Sequence, residues 1–255
     1  MNILQSFAIA ISMYSKIPMP DVEWKKENMR YAMCFFPFVG VVIGAVTYLI
    51  GRILFQLSVG PVFRGVVFTL IPLFVSGGIH MDGFMDTMDA LASYGDQEKK
   101  LEILKDSHAG AFAILGLGCY LIWNVAVWSE LGPELLGISC LIYTVSRALS
   151  GLSVVTFQAA RNSGLLRTFQ DGAQKRTVRI TMTGYLVLSL CAAFVADWRA
   201  AAGMILAAGL TFYYSKHICK KQFGGVTGDL AGYFLELSEL LMLTGILICG
   251  GGLWS

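Results

Sequence analysis

Three aspartates follow a glycine pair in the segment 77–89, which reads GGIHMDGFMDTMD. Asp82, Asp86 and Asp89 are spaced so that, at about 100° per residue on a helix, their carboxylates lie within an arc of about 60°. Three like charges on one face destabilise a bare helix and require a cation to offset them. Oxygen ligands suit Mg²⁺, Mn²⁺ or Ca²⁺, and Mg²⁺ usually binds a few carboxylates together with substrate phosphates. The segment therefore predicts a metal site for phosphate chemistry, with a solvated acidic helix end as the alternative.

A second group of acids lies near the C-terminus, in the segment 224–240. Asp229 is followed by Glu236 and Glu239, and this spacing again keeps three carboxylates within roughly 80° on a helix. The two glutamates stand in an otherwise apolar segment, where acids are costly and usually face a cavity or a partner. We predict that all three join the first cluster in one metal site. The alternative is a glutamate pair neutralised by a basic neighbour or by protonation.

Basic and imidazole side chains supply the other candidate groups. Arg147 lies deep in an apolar segment, which indicates either a buried ion pair with one of these acids or a bidentate clamp on phosphate. His80 and His108 are candidate general bases or donors to phosphate. For Asp106 and Ser107 the alternative to a role in the site is to cap the helix that follows.

Membrane-spanning helices must position these groups. The chain has 255 residues, of which 56% are hydrophobic and 14% charged, and its mean hydropathy is +0.65. A soluble domain carries roughly 25% charged residues. Seven apolar segments approach the ~20 residues that cross a bilayer; they are 31–50, 64–79, 109–128, 135–157, 178–196, 200–214 and 232–253. This predicts an all-α, polytopic membrane helix bundle of about seven transmembrane helices, with residues 1–255 as a single integral membrane domain. The apolar segment 3–13 is too short to span.

The basic residues predict the orientation. With the N-terminus in the cytoplasm, alternating spans place 15 of the 19 basic residues inside and three outside, while Arg147 is intramembrane. Positive charge accumulates on the cytoplasmic side of membrane proteins. We therefore expect the protein in the bacterial cytoplasmic (inner) membrane, embedded in the lipid bilayer, with its active site facing the cytoplasm. The net charge of +2 gives no indication of a nucleic-acid partner.

At these residues the chain resembles the cobalamin synthase family, the adenosylcobinamide-GDP ribazoletransferases. Family members carry Gly-Gly-x-His-x-Asp-Gly-x-x-Asp-x-x-Asp, which the segment 77–89 matches, and Thr-Gly-Asp followed by two glutamates, which the segment 227–239 matches. Further matches are Asp106 with Ser107, Ser146 with Arg147, Arg161 with Gly164, and Lys16, where the family usually has arginine.

The resemblance implies a reaction. A hydroxyl of α-ribazole, or of its 5′-phosphate, attacks the phosphorus of adenosylcobinamide-GDP nearest the corrinoid; GMP leaves, and adenosylcobalamin or its 5′-phosphate forms. It implies that Mg²⁺ held by the three clustered aspartates binds the diphosphate, and that Asp89 or Asp229 accepts the hydroxyl proton. The substrate-binding residues that it implies are Lys16, Asp106, Arg147, Arg161 and Thr227.

Three other classes use similar residues. A CDP-alcohol phosphotransferase would carry Asp-Gly-x-x-Ala-Arg, but Asp86 and Thr87 occupy the last two positions. An intramembrane prenyltransferase would carry longer paired aspartate motifs, and an ion-coupled transporter would show inverted repeats, of which the sequence has no sign. The sequence leaves open the lower-ligand base, the phosphorylation of the acceptor, the identity of the general base and whether the chain forms a homo-oligomer.

Overall fold

The computed structural model describes residues 3–161 and 165–251, and helices make up the regular structure of this part of the chain. In chain order the α-helices are α1 (Ile3–Tyr14), α2 (Lys26–Met29), α3 (Phe36–Gln56), α4 (Pro61–Ser76), α5 (Ile79–Ala92), α6 (Gln97–Ile103), α7 (Ala111–Glu130), α8 (Leu136–Cys140), α9 (Ile142–Thr156), α10 (Leu165–Gly172), α11 (Lys175–Ala196), α12 (Trp198–Phe223) and α13 (Gly228–Cys249). A 3₁₀ helix, Ala32–Phe35, leads into α3. The predicted all-α class is confirmed. Gly164 and residues 252–253 of the seventh predicted segment lie outside the described ranges.

Five helical stretches in the described ranges are long and apolar enough to cross a membrane. They are Glu27–Gln56, Ala111–Glu130, Leu136–Thr156, Lys175–Ala196 and Gly228–Cys249. Helices α4 and α5 pass the same test only as a bent pair, which raises the number to six. Helix α12 has 26 residues, so at about 1.5 Å per residue it is also long enough to span. These stretches agree with the prediction of about seven transmembrane helices.

The bend between α4 and α5 is the main departure from the predicted segments. The apolar run suggests a continuous helix to residue 79, but the two helices meet at an angle of 100°. Gly77 and Gly78 between them have φ values of 69° and 78°. Glycine adopts this left-handed conformation without the penalty that other residues pay. The bend therefore starts the aspartate-bearing helix α5 in a new direction.

Glycines also bring α5 and α13 into close contact. A Cβ placed on Gly83 would lie 2.8 Å from the Cα of Asp229, and one on Gly232 would lie 2.9 Å from the carbonyl oxygen of His80. Position 80 thus faces 232 while 83 faces 229, so the two helices run antiparallel. Small residues permit such close backbone approach between membrane helices. The contact places the aspartate segment of α5 beside the N-terminal end of α13.

Helix α1, the short apolar segment near the N-terminus, packs on the bundle. Ile9, Ala10 and Ile11 are buried, and the Ser6 hydroxyl donates a 2.6 Å hydrogen bond to the carbonyl oxygen of Asn28. The chain then leads past Lys16, whose backbone N–H donates to the Val75 carbonyl at 2.8 Å. These contacts hold α1 and the residues after it against the bend between α4 and α5.

Candidate active site

The two acidic segments meet where α5 contacts α13. The carboxylate of Asp86 is repelled by Asp82, Asp229 and Asp89, and also by Asp106 from the loop before α7. Repulsion of this kind requires short separations, because charge interactions fall with distance and are screened by solvent. The contact of Gly83 with the Asp229 backbone thus brings Asp229 to the aspartate helix, although about 140 residues separate them in the chain.

A cavity of about 360 Å³ opens beside this contact. Its polar lining includes Asp82 and Asp229 together with Arg161 and Arg167, and its volume falls within the usual range for small-molecule sites. The opposite charges give the cavity two kinds of group for an anionic ligand: guanidinium groups that bind phosphate oxygens directly, and carboxylates that bind a cation or a hydroxyl.

A short backbone pairing positions Arg161 near Asp229. Ala159 and Val226 form an isolated parallel bridge: the Val226 N–H donates to the Gln158 carbonyl at 2.8 Å, and the Ala160 N–H donates to the Val226 carbonyl at 3.0 Å. The Arg161 guanidinium donates to the Leu101 carbonyl and attracts the carboxylate of Asp229.

Thr227, a predicted substrate-binding residue, caps α13. Its hydroxyl accepts a 3.2 Å hydrogen bond from the Leu230 N–H and lies 3.4 Å from an oxygen of Asp229. A threonine at this position satisfies an N–H that the helix leaves free. Thr227 also lines the cavity, so its structural role places it within reach of a ligand.

Asp89, predicted as metal ligand and general base, caps α7 in this structure. Its two carboxylate oxygens accept hydrogen bonds from the N–H groups of Gly110 at 2.6 Å and Ala113 at 2.9 Å. The cap of α7 is thus supplied by a distant helix, not by Asp106 or Ser107 as the alternative interpretation had it. A carboxylate stabilises a helix N-terminus through these bonds and through the helix dipole. The geometry favours a structural role for Asp89.

Asp106 and His108 form an exposed pair in the same loop. The Nδ1 atom of His108 lies 2.7 Å from an oxygen of Asp106, which also accepts from the His108 backbone N–H at 3.0 Å. These hydrogen bonds lower the pKa of Asp106. His108 is exposed and does not line the cavity. The pair lies on the aspartate side of the site, since Asp106 interacts with Asp86.

Arg147 forms a buried ion pair in this structure. The side chain is 1% exposed and donates a 2.6 Å hydrogen bond to Glu239, with a second bond of 3.0 Å to the Tyr143 carbonyl. Ser146 donates to the same glutamate at 2.7 Å. Arg147 does not line the cavity. The structure thus shows the buried ion pair that was the alternative, and pairing makes a buried charge tolerable. Substrate binding by Arg147 stays a prediction.

The two glutamates of α13 are placed apart from Asp229. Glu239 pairs with Arg147, and Glu236 accepts a 2.6 Å hydrogen bond from the Tyr120 hydroxyl. Glu236 follows Asp229 by seven residues, which is about 10.5 Å along a helix. Metal–oxygen distances for Mg²⁺ are about 2.1 Å. The prediction that Glu236 and Glu239 share one ion with Asp229 is therefore not supported; both have protein partners instead.

The described residues form no group of three or more acidic, histidine or cysteine side chains arranged to hold a metal ion by themselves. Mg²⁺ rarely needs such a cage, because it is usually bound by one or two carboxylates, water and substrate phosphates. Asp82, Asp86 and Asp229 supply oxygen donors close enough to repel one another. This donor set fits a divalent ion that arrives with a diphosphate.

The structure places His80 in the lining of the cavity and Lys16 outside it. His80 lines the cavity and is buried. Lys16 is exposed and packs over Gly77 at the bend, outside the cavity lining.

Three residues that line the cavity were not predicted from the sequence. They are Arg167, which lies on α10, and the aromatic residues Tyr14 and Phe36. An aromatic side chain in an apolar segment is normally core, so nothing in the sequence singles out these two.

The fold and cavity define a class: a polytopic helical membrane protein with a cavity that combines carboxylates and arginines for an anionic ligand. Comparison with known proteins gives the family. A family model described as cobalamin-5-phosphate synthase matches residues 6–247, and the chain belongs to this family.

Named relatives agree along the whole chain. An adenosylcobinamide-GDP ribazoletransferase of Lachnoclostridium phytofermentans is 45% identical over 260 residues, covering 100% of both chains. Proteins of the same name from Clostridium perfringens and Desulfitobacterium hafniense are 34% and 32% identical, covering 95% and 93% of this chain and 96% and 94% of their own. No solved structure matches the chain.

Proposed function

We propose that this chain is an adenosylcobinamide-GDP ribazoletransferase. It transfers the adenosylcobinamide phosphate moiety from adenosylcobinamide-GDP to α-ribazole, or to its 5′-phosphate, and releases GMP. Family membership and the names of relatives that match at full length support this activity. One observation supports a particular site for this activity. Gly83 closely contacts Asp229, and this contact joins the two acidic segments beside a cavity lined by two arginines. The phosphotransferase, prenyltransferase and transporter alternatives have no comparable support.

The chemistry is phosphoryl transfer at a diphosphate. The acceptor hydroxyl oxygen forms a bond to the phosphorus nearest the corrinoid, the bond from that phosphorus to the bridging oxygen breaks, and GMP leaves with that oxygen. Catalysis of this kind is mostly positioning and neutralisation of charge. Arg161 and Arg167 hold the phosphate oxygens. Asp229 accepts the hydroxyl proton, since Asp89 is occupied by the cap of α7.

One or two of the carboxylates of Asp82, Asp86 and Asp229 would hold Mg²⁺, with Mn²⁺ as a substitute, together with oxygens of the substrate. When bound, the ion neutralises charge on the diphosphate. The repulsion among these carboxylates supports a cation at this place.

The cavity faces the cytoplasm of the cell, and the chain lies in the bacterial inner membrane as one domain. Support comes from the 15 basic residues that the predicted topology places on the side of the cavity. One copy of the chain supplies every group used in this mechanism, so a homo-oligomer is not required.

The test is GMP release by purified protein in detergent, supplied with Mg²⁺, adenosylcobinamide-GDP and α-ribazole. We expect release that depends on both substrates and stops in EDTA. Asp229→Asn and Asp86→Asn should each abolish most of it. Asp21→Asn is the matched control, because Asp21 is exposed and outside the cavity lining. Absence of GMP release by the wild-type protein, or CMP release from CDP-diacylglycerol instead, would contradict the proposal.

A further inference from the structure

The inner wall of the cavity is aromatic. The rings of Tyr14 and Phe36 lie 4.2 Å apart between centroids. The His80 imidazole lies 5.9 Å from the Tyr14 ring, nearly parallel to it at 17°, and 5.6 Å from the Phe36 ring. All three side chains line the cavity. Together they form a surface on which a flat ring can pack.

One polar atom on this wall has no partner. His80 is 6% exposed, and its Nε2 atom is buried without a hydrogen bond to any described residue. The Tyr14 hydroxyl, by contrast, contacts the Met33 sulfur at 3.6 Å. Leaving a buried polar atom unpaired is costly, so an unpaired nitrogen on a side chain that lines the cavity indicates a ligand group that bonds to it.

The unpaired nitrogen of His80 defines which ligand group can bond to it. An imidazole N–H donates a single hydrogen bond and needs one acceptor atom opposite it. The matching ligand is therefore a flat aromatic heterocycle with a single exposed ring nitrogen. Guanine fits this wall less well, because its edge carries several donors and acceptors that would stay unpaired.

We infer that Tyr14, Phe36 and His80 bind the base of the acceptor nucleoside, the benzimidazole ring of α-ribazole, with His80 Nε2 donating to the ring nitrogen that does not carry the ribose. The inference rests on the proposed function and names the residues that select its acceptor. His80 packs on Gly232, three residues and about 4.5 Å of helix rise from Asp229. A ribose can bridge this spacing and present its hydroxyl to the acidic end of the cavity.

A pair of acceptors tests the hydrogen bond. The second acceptor is the indole ribonucleoside of the same configuration, in which a C–H replaces the ring nitrogen. For the wild-type protein the KM of the indole acceptor should exceed that of α-ribazole by about tenfold. In His80→Ala the two KM values should agree within about twofold, while the KM for adenosylcobinamide-GDP stays unchanged. His80→Gln, which keeps an N–H donor, should restore part of the discrimination.

Three results would overturn the inference. The first is equal discrimination in the wild-type protein and His80→Ala. The second is a fall in kcat of His80→Ala with both acceptors at unchanged KM, which would make His80 a general base. The third is equal KM for both acceptors in the wild-type protein, which needs no variant to fold. The proposed function fails separately, through absence of GMP release with any acceptor, and the inference then fails with it.

A second pair of variants tests the aromatic wall. Tyr14→Phe keeps the ring and should bind α-ribazole with nearly the wild-type KM. Tyr14→Leu should raise the KM for α-ribazole about tenfold and leave the KM for adenosylcobinamide-GDP unchanged. Equal effects of the two substitutions, or an equal rise in KM for both substrates, would contradict a base-binding role for this wall.

Discussion

Gly83→Ala should damage the site without removing any of its chemical groups. The new Cβ would lie 2.8 Å from both the Cα and the carbonyl oxygen of Asp229. Both atoms belong to the backbone, so no side-chain rotation relieves the contact and the two helices must separate. Overpacking of this kind costs about 1–3 kcal/mol. The separation also displaces Asp229 from the aspartates of α5, and misplacement by about 1 Å can cost about a hundredfold in rate.

A matched substitution isolates the effect of the contact. Gly118 lies within α7, and a Cβ there would meet nothing within 4 Å. Gly118→Ala should therefore stabilise the protein slightly, since alanine in a helix is favoured over glycine by about 0.5–1 kcal/mol.

Two measurements on the purified variants decide the prediction. Thermal unfolding in detergent, followed by size-exclusion chromatography, should show a lower midpoint for Gly83→Ala and an equal or higher one for Gly118→Ala. GMP release should fall strongly only for Gly83→Ala. Wild-type stability and activity of Gly83→Ala would show that α5 and α13 do not meet at this point, and the single-site argument would lose its geometric basis.

Three further predictions concern the metal, the cap of α7 and the topology. Activity should require Mg²⁺ or Mn²⁺, and Asp82→Asn should lower it by about a hundredfold or more, because charge neutralisation is lost; full turnover in EDTA would refute this. Asp89→Ala should lower stability by about 0.5–2 kcal/mol through loss of both cap bonds, whereas Asp89→Asn should lose one of them, because its amide nitrogen cannot accept, and should fall between Asp89→Ala and the wild-type protein; equal unfolding midpoints for both variants would contradict the capping role. A cysteine in place of Gln97 should stay unlabelled by an impermeant reagent in intact cells and react after lysis; labelling of intact cells would reverse the topology.

The fold was largely predictable because hydropathy reports directly on membrane helices. The bend before α5 was not, since the apolar run continues through Gly77 and Gly78 to Ile79 and a glycine pair is compatible with either a bend or a close helix contact. Only the φ values of the two glycines distinguish these possibilities. The direction of α5, and hence the place where its acids point, depends on this local geometry.

The sequence predicted that the two acidic segments meet better than it predicted the contacts of each acid. The spacing of the aspartates put three carboxylates on one helix face, and α13 does bring Asp229 to them. The pattern did not reveal that Asp89 caps α7, because its partners Gly110 and Ala113 lie 21 and 24 residues away on another helix. Helical spacing predicts which side chains share a face of the helix. It does not predict which of those faces packs against another segment of the chain.

The buried acids of α13 illustrate the same limit. Tyr120 on α7 donates to Glu236, and Arg147 on α9 donates to Glu239. The two bonds tie α13 to two different neighbours, so they fix its rotation about its own axis. That rotation determines where Asp229 faces at the N-terminal end of the same helix. A buried ion pair rarely adds stability over apolar side chains; here its position suits it to orient the helix that carries Asp229.

A positioning role and a ligand role for Glu239 predict different kinetics. Glu239→Gln leaves Arg147 charged, buried and without its ionised partner, which should cost about 3–5 kcal/mol. The unfolding midpoint and kcat should fall together, because α13 is no longer held in one orientation. The Mg²⁺ concentration that gives half-maximal activity should stay at its wild-type value, since the Glu239 carboxylate is bonded to Arg147 and Ser146. Replacing both members of the pair by methionine should recover stability, because a pair of apolar side chains leaves no unpaired charge. If Glu239→Gln instead keeps its stability and requires much more Mg²⁺, the glutamate is a ligand and the ion pair is incidental.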